Sequence, residues 1–446
     1  MPRRPRIHVH ASSVPKWWPR DVYYGWALVT TLGLTTMASY GVLTYAFAAF
    51  VKPIAVDLQW SSPRVTGAFS IAQLVAGVSA IPVGHWVDRH GTRGLMTIGS
   101  ALAALALAGW STVHSLAAFY GFAALLGVAM AAVLYEPTFA VVATWFDRDR
   151  SRALTLLTFL GGFASVVFVP LSATLIGRLG WRGALLALAG VYAALTIVPH
   201  WLVLRRRPSD LGLVVDGRAR SESRTAATSS TAATARARAP DVALDAAIRS
   251  GAFRWLAVAF SLSALASTAV TVHLVALLTE RGYSPAYAAG AMGLVGLMAL
   301  PGRLVFTPLG EHWPRSAVTA GIFVMQAVAA ATLLATRSAV GVWAFVILFG
   351  TGFGAITPAR AGLIGDLFGA AEYGRIAGVL AMILSLARTI APVGASWLYV
   401  AAGGSAHGYD SVLIVLVALG VVSAIAVRVA DRHYMRARIA TVEAAG

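Results

Sequence analysis

The sequence predicts an all-α polytopic membrane protein in which twelve transmembrane helices form two pseudo-symmetric six-helix bundles. Three observations predict this fold class: the composition, the spacing of the apolar runs and an internal repeat. Of the 446 residues, 58% are hydrophobic and 12% are charged, and the mean hydropathy is +0.74. A soluble domain carries about a quarter charged residues, so a soluble globular protein is excluded.

Twelve apolar segments follow one another along the chain, each long enough for the roughly 20 residues that a helix needs to cross a bilayer. The first six lie near residues 23–50, 65–86, 94–112, 116–143, 153–177 and 183–203. The second six lie near residues 253–278, 285–309, 317–336, 339–366, 376–400 and 409–428. We therefore expect bundles at 23–203 and 252–430, with a cytoplasmic N-terminal tail at 1–22 and a cytoplasmic C-terminal tail at 431–446.

The one long gap between spans, residues 204–251, separates the two groups of six. It opens with three arginines and continues through TAATSSTAATARARAP, a tract too polar and too simple to build a core. This composition predicts a flexible cytoplasmic linker. Its last part, 241–249, contains helix-forming residues and could lie along the membrane surface.

Acidic, basic and proline residues recur at matching span ends about half a chain apart, which predicts a duplicated six-helix unit. The pairs, separated by 221 to 223 residues, are Asp88 with Glu311, Pro137 with Pro358, Arg152 with Arg375, and Pro170 with Pro392. Two parallel repeats of this kind favour a transporter whose halves rock against each other.

The distribution of basic residues predicts the orientation of the chain. Of the 35 Lys and Arg residues, about 26 fall in the two tails and in the loops after even-numbered spans, as the positive-inside rule requires of the cytoplasmic side. We therefore expect a multi-pass protein of a plasma membrane, of the bacterial inner-membrane type, with both termini in the cytoplasm.

The loop after the second span reads GHWVDRHGTRG, from Gly84 to Gly94. It resembles the cytoplasmic loop signature of the major facilitator superfamily, and the resemblance extends over the twelve spans, the central linker and the half-chain repeat. It implies the major facilitator fold and a cytoplasmic gate motif. The motif residues are Gly84, Asp88, Arg89, Gly91 and Arg93. The alternative is an ordinary basic loop that only fixes topology.

Other stretches resemble the monocarboxylate and oxalate/formate type branch of that superfamily. These are GVLTYAFAAFVKPI in span 1, followed by Trp60 and Ser61, and GRLVFTPLGE in span 8. Ala123, four residues before Gly127, stands where the superfamily often has an arginine, and the glycine-rich pattern of drug/proton antiporters is reduced around Pro170 in span 5. Both departures argue against the multidrug antiporter branch.

Arginines inside the spans are the first candidates for substrate binding, because an ionisable residue facing lipid is costly and is expected to face a cavity or a partner. Arg303 in span 8 matches an arginine position of the monocarboxylate branch, and its guanidinium suits bidentate recognition of a carboxylate. Arg388 in span 11 could hold a second acidic group. The alternative for Arg303 is a structural contact with a backbone carbonyl or with Glu311.

Glu136, beside Pro137, is the one acidic residue well inside a span, and with Arg360 it forms the candidate pair for proton coupling. Burial favours a protonated carboxyl group, whereas a nearby arginine favours the carboxylate, so an arriving anion could help Glu136 to take up a proton. A permanent Glu136–Arg360 ion pair is an equal alternative, and Arg360 could also pair with Asp366.

Four further polar residues in spans complete the candidate substrate site. Tyr40, Tyr45 and Tyr135 could donate hydroxyl groups to an anion, although tyrosines in spans are more often packing or interfacial residues. His273 in span 7 could line the cavity, but a histidine with satisfied hydrogen bonds is the more common case.

The sequence predicts a secondary transporter of a small organic anion, a mono- or dicarboxylate, driven by proton symport or anion exchange. The alternative is a superfamily exporter of an apolar or drug-like compound. With no cysteine and no Walker motif, we expect no metal, no cofactor and no nucleic acid partner, only substrate, protons or counter-anions and lipids around a monomer. An enzyme would have only Ser405 and His407 as a catalytic pair, outside any GxSxG frame.

Overall fold

The described residues are mostly helical and contain no strand, which confirms the all-α fold class. The structure, a computed structural model, describes residues 15, 18–19, 22–217, 241–404 and 406–443, and these contain no strand. The helices before the central linker are α1 (Gly25–Tyr40), α2 (Phe47–Asp57), α3 (Ser62–His90), α4 (Arg93–Ser111), α5 (Leu116–Val133), α6 (Tyr135–Trp145), α7 (Arg150–Gly161) and α8 (Ala164–Val203). A π-helical turn, Gly41–Tyr45, joins α1 to α2.

A matching series of long apolar helices follows the linker. These helices are α9 (Leu244–Arg249), α10 (Gly251–Glu280), α11 (Pro285–His312), α12 (Arg315–Ala335), α13 (Ala339–Phe368), α14 (Tyr373–Ala401) and α15 (Ala406–Glu443). The short α9 falls in the segment predicted to be helical before the seventh span. The last helix, α15, continues past residue 430 into the predicted tail.

Within the described residues, eleven helical stretches are long and apolar enough to cross a membrane. One of them, Arg150–Val203, has 54 residues and would be about 80 Å long, far more than the roughly 30 Å of a bilayer core. Gly180 interrupts α8 with a φ of 67° and a ψ of 172°, a conformation that glycine tolerates. The stretch therefore supplies the fifth and sixth of the twelve predicted spans.

The chain forms two compact units. The first contains Met1–Val242 together with Phe368–Gly378, and the second contains Ala243–Leu367 together with Val379–Gly446. In the first unit α4 packs on α8 and α3 packs on α5, and in the second α15 packs on both α10 and α12. Each unit buries its own apolar core, including Trp145 and Tyr192 in the first and Phe345 in the second.

An ion pair ties the end of the first span to the start of the sixth in the first unit. Arg182 Nη2 lies 3.5 Å from Asp57 Oδ2, and Trp181 Nε1 donates to the same oxygen at 3.0 Å. Arg182 Nη1 also donates to the carbonyl of Ser111, the last residue of α4, at 2.7 Å. Asp57, Arg182 and Ser111 form the first clasp.

The second unit has an equivalent clasp in which the two charges are exchanged. Arg281, directly after α10, places Nη2 3.0 Å from Asp410 Oδ1 in α15, and its Nη1 donates to the Leu333 carbonyl at 2.6 Å. Leu333 follows Ser111 by 222 residues, the interval of the internal repeat. In the first clasp the sixth span supplies the arginine, whereas in the second clasp the seventh span supplies it.

Both ends of the predicted linker make specific hydrogen bonds within the first unit. The carboxylate of Asp216 accepts from the backbone N–H of Arg148 at 2.9 Å and from those of its two neighbours. Asp241 Oδ1 accepts from the N–H groups of Ala370 and Ala371 at 3.0 and 3.1 Å. The two ends of the linker are therefore fixed, and its middle, 218–240, lies outside the described residues.

Candidate functional site

The predicted gate motif lies at the end of α3, where Asp88 binds the first turn of α14. Asp88 Oδ1 accepts from the Gly374 N–H and Oδ2 from the Arg375 N–H, both at 2.9 Å. The first N–H groups of a helix lack partners within the helix and carry a partial positive charge. The Asp88 carboxylate is therefore well placed to satisfy them and to hold the first turn of α14 at the end of α3.

The glycines of the motif permit this contact. A Cβ on Gly84 would overlap the carbonyl of Gly374, so only glycine allows α3 and the start of α14 to approach this closely. Gly91 has a φ of 78°, a left-handed conformation that side chains disfavour, and a Cβ there would also meet Arg206.

The two arginines of the motif differ in their surroundings. Arg93 stacks over the Trp201 ring with its Cζ 4.3 Å from the ring centroid, and its Nε donates to the Trp201 carbonyl at 2.8 Å. Arg89 is exposed. Arg93 thus fixes the start of α4 to the end of α8, whereas Arg89 is available for contacts outside the chain.

Two irregularities in the helices of the first unit bring the three predicted tyrosines together. Tyr40 directly precedes the π-helical turn, and Tyr45 is the last residue of that turn. Tyr135 follows Leu134, whose extended conformation separates α5 from α6. The ring centroids of Tyr40 and Tyr135 are 4.7 Å apart, and those of Tyr40 and Tyr45 are 6.5 Å apart. Irregular backbone at membrane depth is tolerated where it is buried in protein or lines a cavity, and π-turns are frequent at functional sites.

Glu136 lies in the first turn of α6, directly after this break. A carboxylate at a helix N-terminus is stabilised by the unpaired N–H groups and by the helix dipole. Pro137 has no N–H and so cannot continue the hydrogen-bond ladder of α5. Pro137 is therefore a signal in the sequence for the helix break as well as a landmark of the repeat.

Arg303 lies where α11 and α13 cross in close contact. A Cβ on Gly302 would overlap the Thr351 carbonyl, and one on Gly354 would overlap the Ala299 carbonyl. The half-buried Arg303 follows Gly302 directly, and its Nε lies 3.4 Å from the Gly354 carbonyl. The predicted backbone contact is thus present, but it is long for a hydrogen bond.

The other two arginines inside spans differ in burial. Arg360 in α13 is only 8% exposed, whereas Arg388 in α14 is exposed. Asp366, a predicted partner of Arg360, accepts from Arg315 Nη1 at 2.9 Å.

His273 is held by a polar network in the second unit. Its Nε2 lies 3.2 Å from the Pro392 carbonyl oxygen, and its Nδ1 lies 3.4 Å from the Tyr409 hydroxyl. A carbonyl can only accept, so Nε2 carries a hydrogen and Nδ1 of a neutral ring can accept from the tyrosine. Nearby, the Tyr399 hydroxyl donates to Glu280 Oε1 at 2.6 Å. Tyr399, Tyr409 and Glu280 are not among the residues predicted from the sequence.

The apolar helices long enough to cross a membrane, their division into two compact units and the irregular helices next to ionisable residues are typical of a multi-pass membrane transporter. The chain belongs to the Major Facilitator Superfamily, whose sequence pattern matches residues 32–392. Members of this family are membrane transporters rather than enzymes, and they carry small-molecule substrates.

The names of similar proteins agree with this family and with the predicted monocarboxylate-type branch. Monocarboxylate transporter 13 of Bos taurus is 26% identical over 373 residues, which cover 82% of this chain and 81% of that protein. Other similar proteins also carry the name monocarboxylate transporter, which confirms the resemblance to the monocarboxylate-type branch.

Solved structures show the same fold. A bacterial homologue of the iron transporter ferroportin, in its outward-facing state, has a TM-score of 0.68 at 16% identity and covers 92% of this chain and 100% of its own. The fucose:proton symporter of E. coli has a TM-score of 0.66 at 14% identity, with coverage of 90% and 97%. At these identities the likeness concerns the fold alone.

Proposed function

We propose that this protein is a secondary active transporter that moves a small organic anion, a mono- or dicarboxylate, across the plasma membrane by alternating access. The observation that carries the proposal is Arg303, a guanidinium held in a membrane-spanning helix at the glycine-lined crossing of α11 and α13. A charged side chain inside the membrane has a high free-energy cost unless it interacts with a partner or a ligand. A guanidinium group matches a carboxylate in charge and shape.

Three further observations support an anionic substrate. Some similar proteins are named monocarboxylate transporters. Tyr40, Tyr45 and Tyr135 meet at irregular helix segments in the first unit, and their hydroxyl groups can donate to an anion. Arg388 adds a second positive charge in α14. We propose Arg303 and Arg388, with the three tyrosines and His273, as the substrate-binding residues.

In this mechanism the contact of Asp88 with the first turn of α14 closes the cytoplasmic side, and its release opens that side. The motif residues around Asp88 then act as the gate. We propose that both termini are cytoplasmic and that the transporter works as a monomer. Gradients drive the transport, through proton symport or through exchange of anions.

The substrate class can be tested by ligand-dependent thermal stabilisation of the purified protein. Ligand binding to the folded state raises its stability by mass action. We expect members of a panel of mono- and dicarboxylates to raise the unfolding temperature, whereas uncharged and cationic drugs of similar size leave it unchanged. Stabilisation by apolar or cationic compounds alone would contradict the proposal and favour the exporter.

Replacement of Glu136 by glutamine is expected to abolish transport driven by a pH gradient and to leave anion exchange intact. The amide keeps the shape of the side chain but cannot take up or release a proton. The measurement is uptake into proteoliposomes with and without a pH gradient, next to counterflow of labelled substrate. Glu136→Asp, which keeps a titratable carboxyl group, is the matched control. Proton-driven uptake that survives in Glu136→Gln would make Glu136 a structural residue.

A further inference from the structure

The loop before α14 lacks the residues that usually cap a helix. It reads GAAEYG from Gly369 to Gly374, without the serine, threonine, aspartate or asparagine whose side chain commonly accepts from the first N–H groups of a helix. The first four N–H groups of a helix have no partner within it. The acceptors for the start of α14 must therefore come from other parts of the chain or from water.

Two carboxylates from distant segments supply acceptors at this point. Asp88, at the end of α3, binds two N–H groups of the first turn of α14. Asp241, at the end of the linker, binds the N–H groups of Ala370 and Ala371 through one oxygen, Oδ1, at 3.0 and 3.1 Å. Gly374, the first residue bound by Asp88, lies only three residues after Ala371. A shift of the loop would therefore change both contacts.

The end of the linker is also joined to this loop through its backbone. The Val242 N–H donates to the Phe368 carbonyl at 3.1 Å, next to the side-chain contact of Asp241. Gly369, between the two contacts, has a φ of 79°, a conformation that favours glycine. Residues 241–242 thus fix the direction in which the chain leaves α13.

Packing alone does not hold the loop in this position. A cavity of about 240 Å³ borders Ala370 and Ala371, and Asp88 and Asp241 line the same cavity. Ala371 and Asp241 are also exposed. Because the loop has room to move on this side, its position depends on its hydrogen bonds.

The other end of the linker makes the equivalent contact in the first half of the repeat. Asp216 binds the N–H groups of Arg148 and of its two neighbours, in the loop directly before α7. Ala370 follows Arg148 by 222 residues, the interval of the internal repeat. Asp216 has a φ of 58°, which is uncommon for a residue other than glycine, so the contact forms despite an unfavourable backbone conformation. A linker carboxylate thus holds the same loop in each half, which argues against a chance contact at Asp241.

We propose that Asp241 is a positioning residue of the cytoplasmic gate. By fixing the loop before α14, it presents the N–H groups of Gly374 and Arg375 to Asp88. The contact of Asp88 with α14 then depends on the linker, and loss of the Asp241 contact favours opening of the cytoplasmic side. This role rests on the gate proposed above, and it gives the linker a function beyond connecting the two units.

The first test is a double-mutant cycle measured by cysteine labelling. The parent carries a single Ala377→Cys at a buried position of α14, and its rate of reaction with a membrane-impermeant maleimide reports opening without any substrate. We expect Asp241→Ala to raise this rate about three- to tenfold, the effect of losing hydrogen bonds that are partly exposed to solvent. In an Asp88→Asn background the same change should add less than about twofold, because its effect is exerted through Asp88.

Two further variants control this cycle. Asp245→Ala, which removes an exposed carboxylate at the same end of the linker, should leave the labelling rate unchanged. Asp241→Asn keeps the oxygen that accepts both hydrogen bonds and should stay within about twofold of the parent. Equal rates in Asp241→Ala and Asp245→Ala, or the same increase with and without Asp88, would overturn the proposal.

Amide hydrogen exchange of the full-length protein in nanodiscs tests the coupling separately from gating. Asp241→Ala should accelerate exchange in the first turn of α14 as well as at Ala370 and Ala371. Because coupling between two sites is reciprocal, Asp88→Asn should accelerate exchange at Ala370 and Ala371, which remains informative if Asp241→Ala folds poorly. Acceleration confined to the N–H groups that lose their own acceptor would contradict the positioning role. Coupled exchange with unchanged labelling in Asp88→Asn would reject the gate but retain the positioning of α14 by Asp241, so the two failures are distinguishable.

Discussion

Replacing Arg303 by alanine is expected to reduce anion uptake at least 30-fold while the protein remains folded in the membrane. Removing one partner of a buried charge pair typically costs about 2–5 kcal/mol of binding energy, and about 1.4 kcal/mol corresponds to a factor of ten. The Arg303 side chain follows Gly302, which fixes its position at the α11–α13 crossing. The measurements are initial uptake rates in proteoliposomes and stabilisation by the carboxylates identified in the panel.

Two further variants show whether a loss of uptake comes from the missing guanidinium shape, from the missing positive charge or from general damage to the protein. Arg303→Lys keeps the positive charge but loses the bidentate fork, so we expect intermediate uptake with a raised KM. Arg254→Ala removes an exposed arginine near the start of α10 and should leave uptake unchanged. Normal uptake by Arg303→Ala, at equal protein content, would remove Arg303 from the substrate site and with it the main support for an anionic substrate.

Replacing Asp88 by asparagine is expected to favour the open state of the cytoplasmic side. The asparagine retains one acceptor oxygen, but its amide group faces an N–H donor at 2.9 Å in place of the second carboxylate oxygen. The lost charge also no longer complements the helix N-terminus. Hydrogen bonds to charged groups contribute about 1.5–3 kcal/mol, so the equilibrium between closed and open states should shift about 10- to 150-fold.

The absence of cysteine from the whole sequence provides a direct measurement of this shift. A single Ala377→Cys, at a buried position of α14 three residues after Gly374, should react with a membrane-impermeant maleimide several-fold faster in Asp88→Asn than in the parent. Asp149→Asn, which removes another acidic residue of the predicted cytoplasmic loops, should leave the labelling rate unchanged. Equal labelling in Asp88→Asn and its parent would show that the Asp88 contact does not control opening.

The sequence was sufficient to predict the fold class and the motif, because both depend on local patterns. Long apolar runs predict α-helices that cross a bilayer whatever their neighbours are, and Gly84 and Asp88 were identified because their loop resembles a family signature. The partner of Asp88 could not be predicted, since Gly374 lies 286 residues further along the chain. Only the packing of α3 against the first turn of α14 brings the two together.

The irregular segments show a second limit of sequence analysis. The π-helical turn Gly41–Tyr45 and the break at Leu134 lie inside apolar runs that are compatible with continuous helices. The first has only Gly41 as a signal, and the second has Pro137. The contact between Tyr40 and Tyr135 depends on both irregularities, so the sequence could propose each tyrosine separately but could not predict that they meet.

The two clasps have a consequence for how the duplicated halves assemble. A repeated sequence allows equivalent helices to exchange places during insertion. The sixth span would then pack against the seventh in place of the first, or the twelfth would pack against the first in place of the seventh. The first exchange would oppose Arg182 to Arg281, and the second would oppose Asp57 to Asp410. Because the charges are reversed between the clasps, each swapped arrangement brings like charges together, and only the correct pairing within each half is attractive. The reversal thus gives each half an identity that the shared fold alone would not provide.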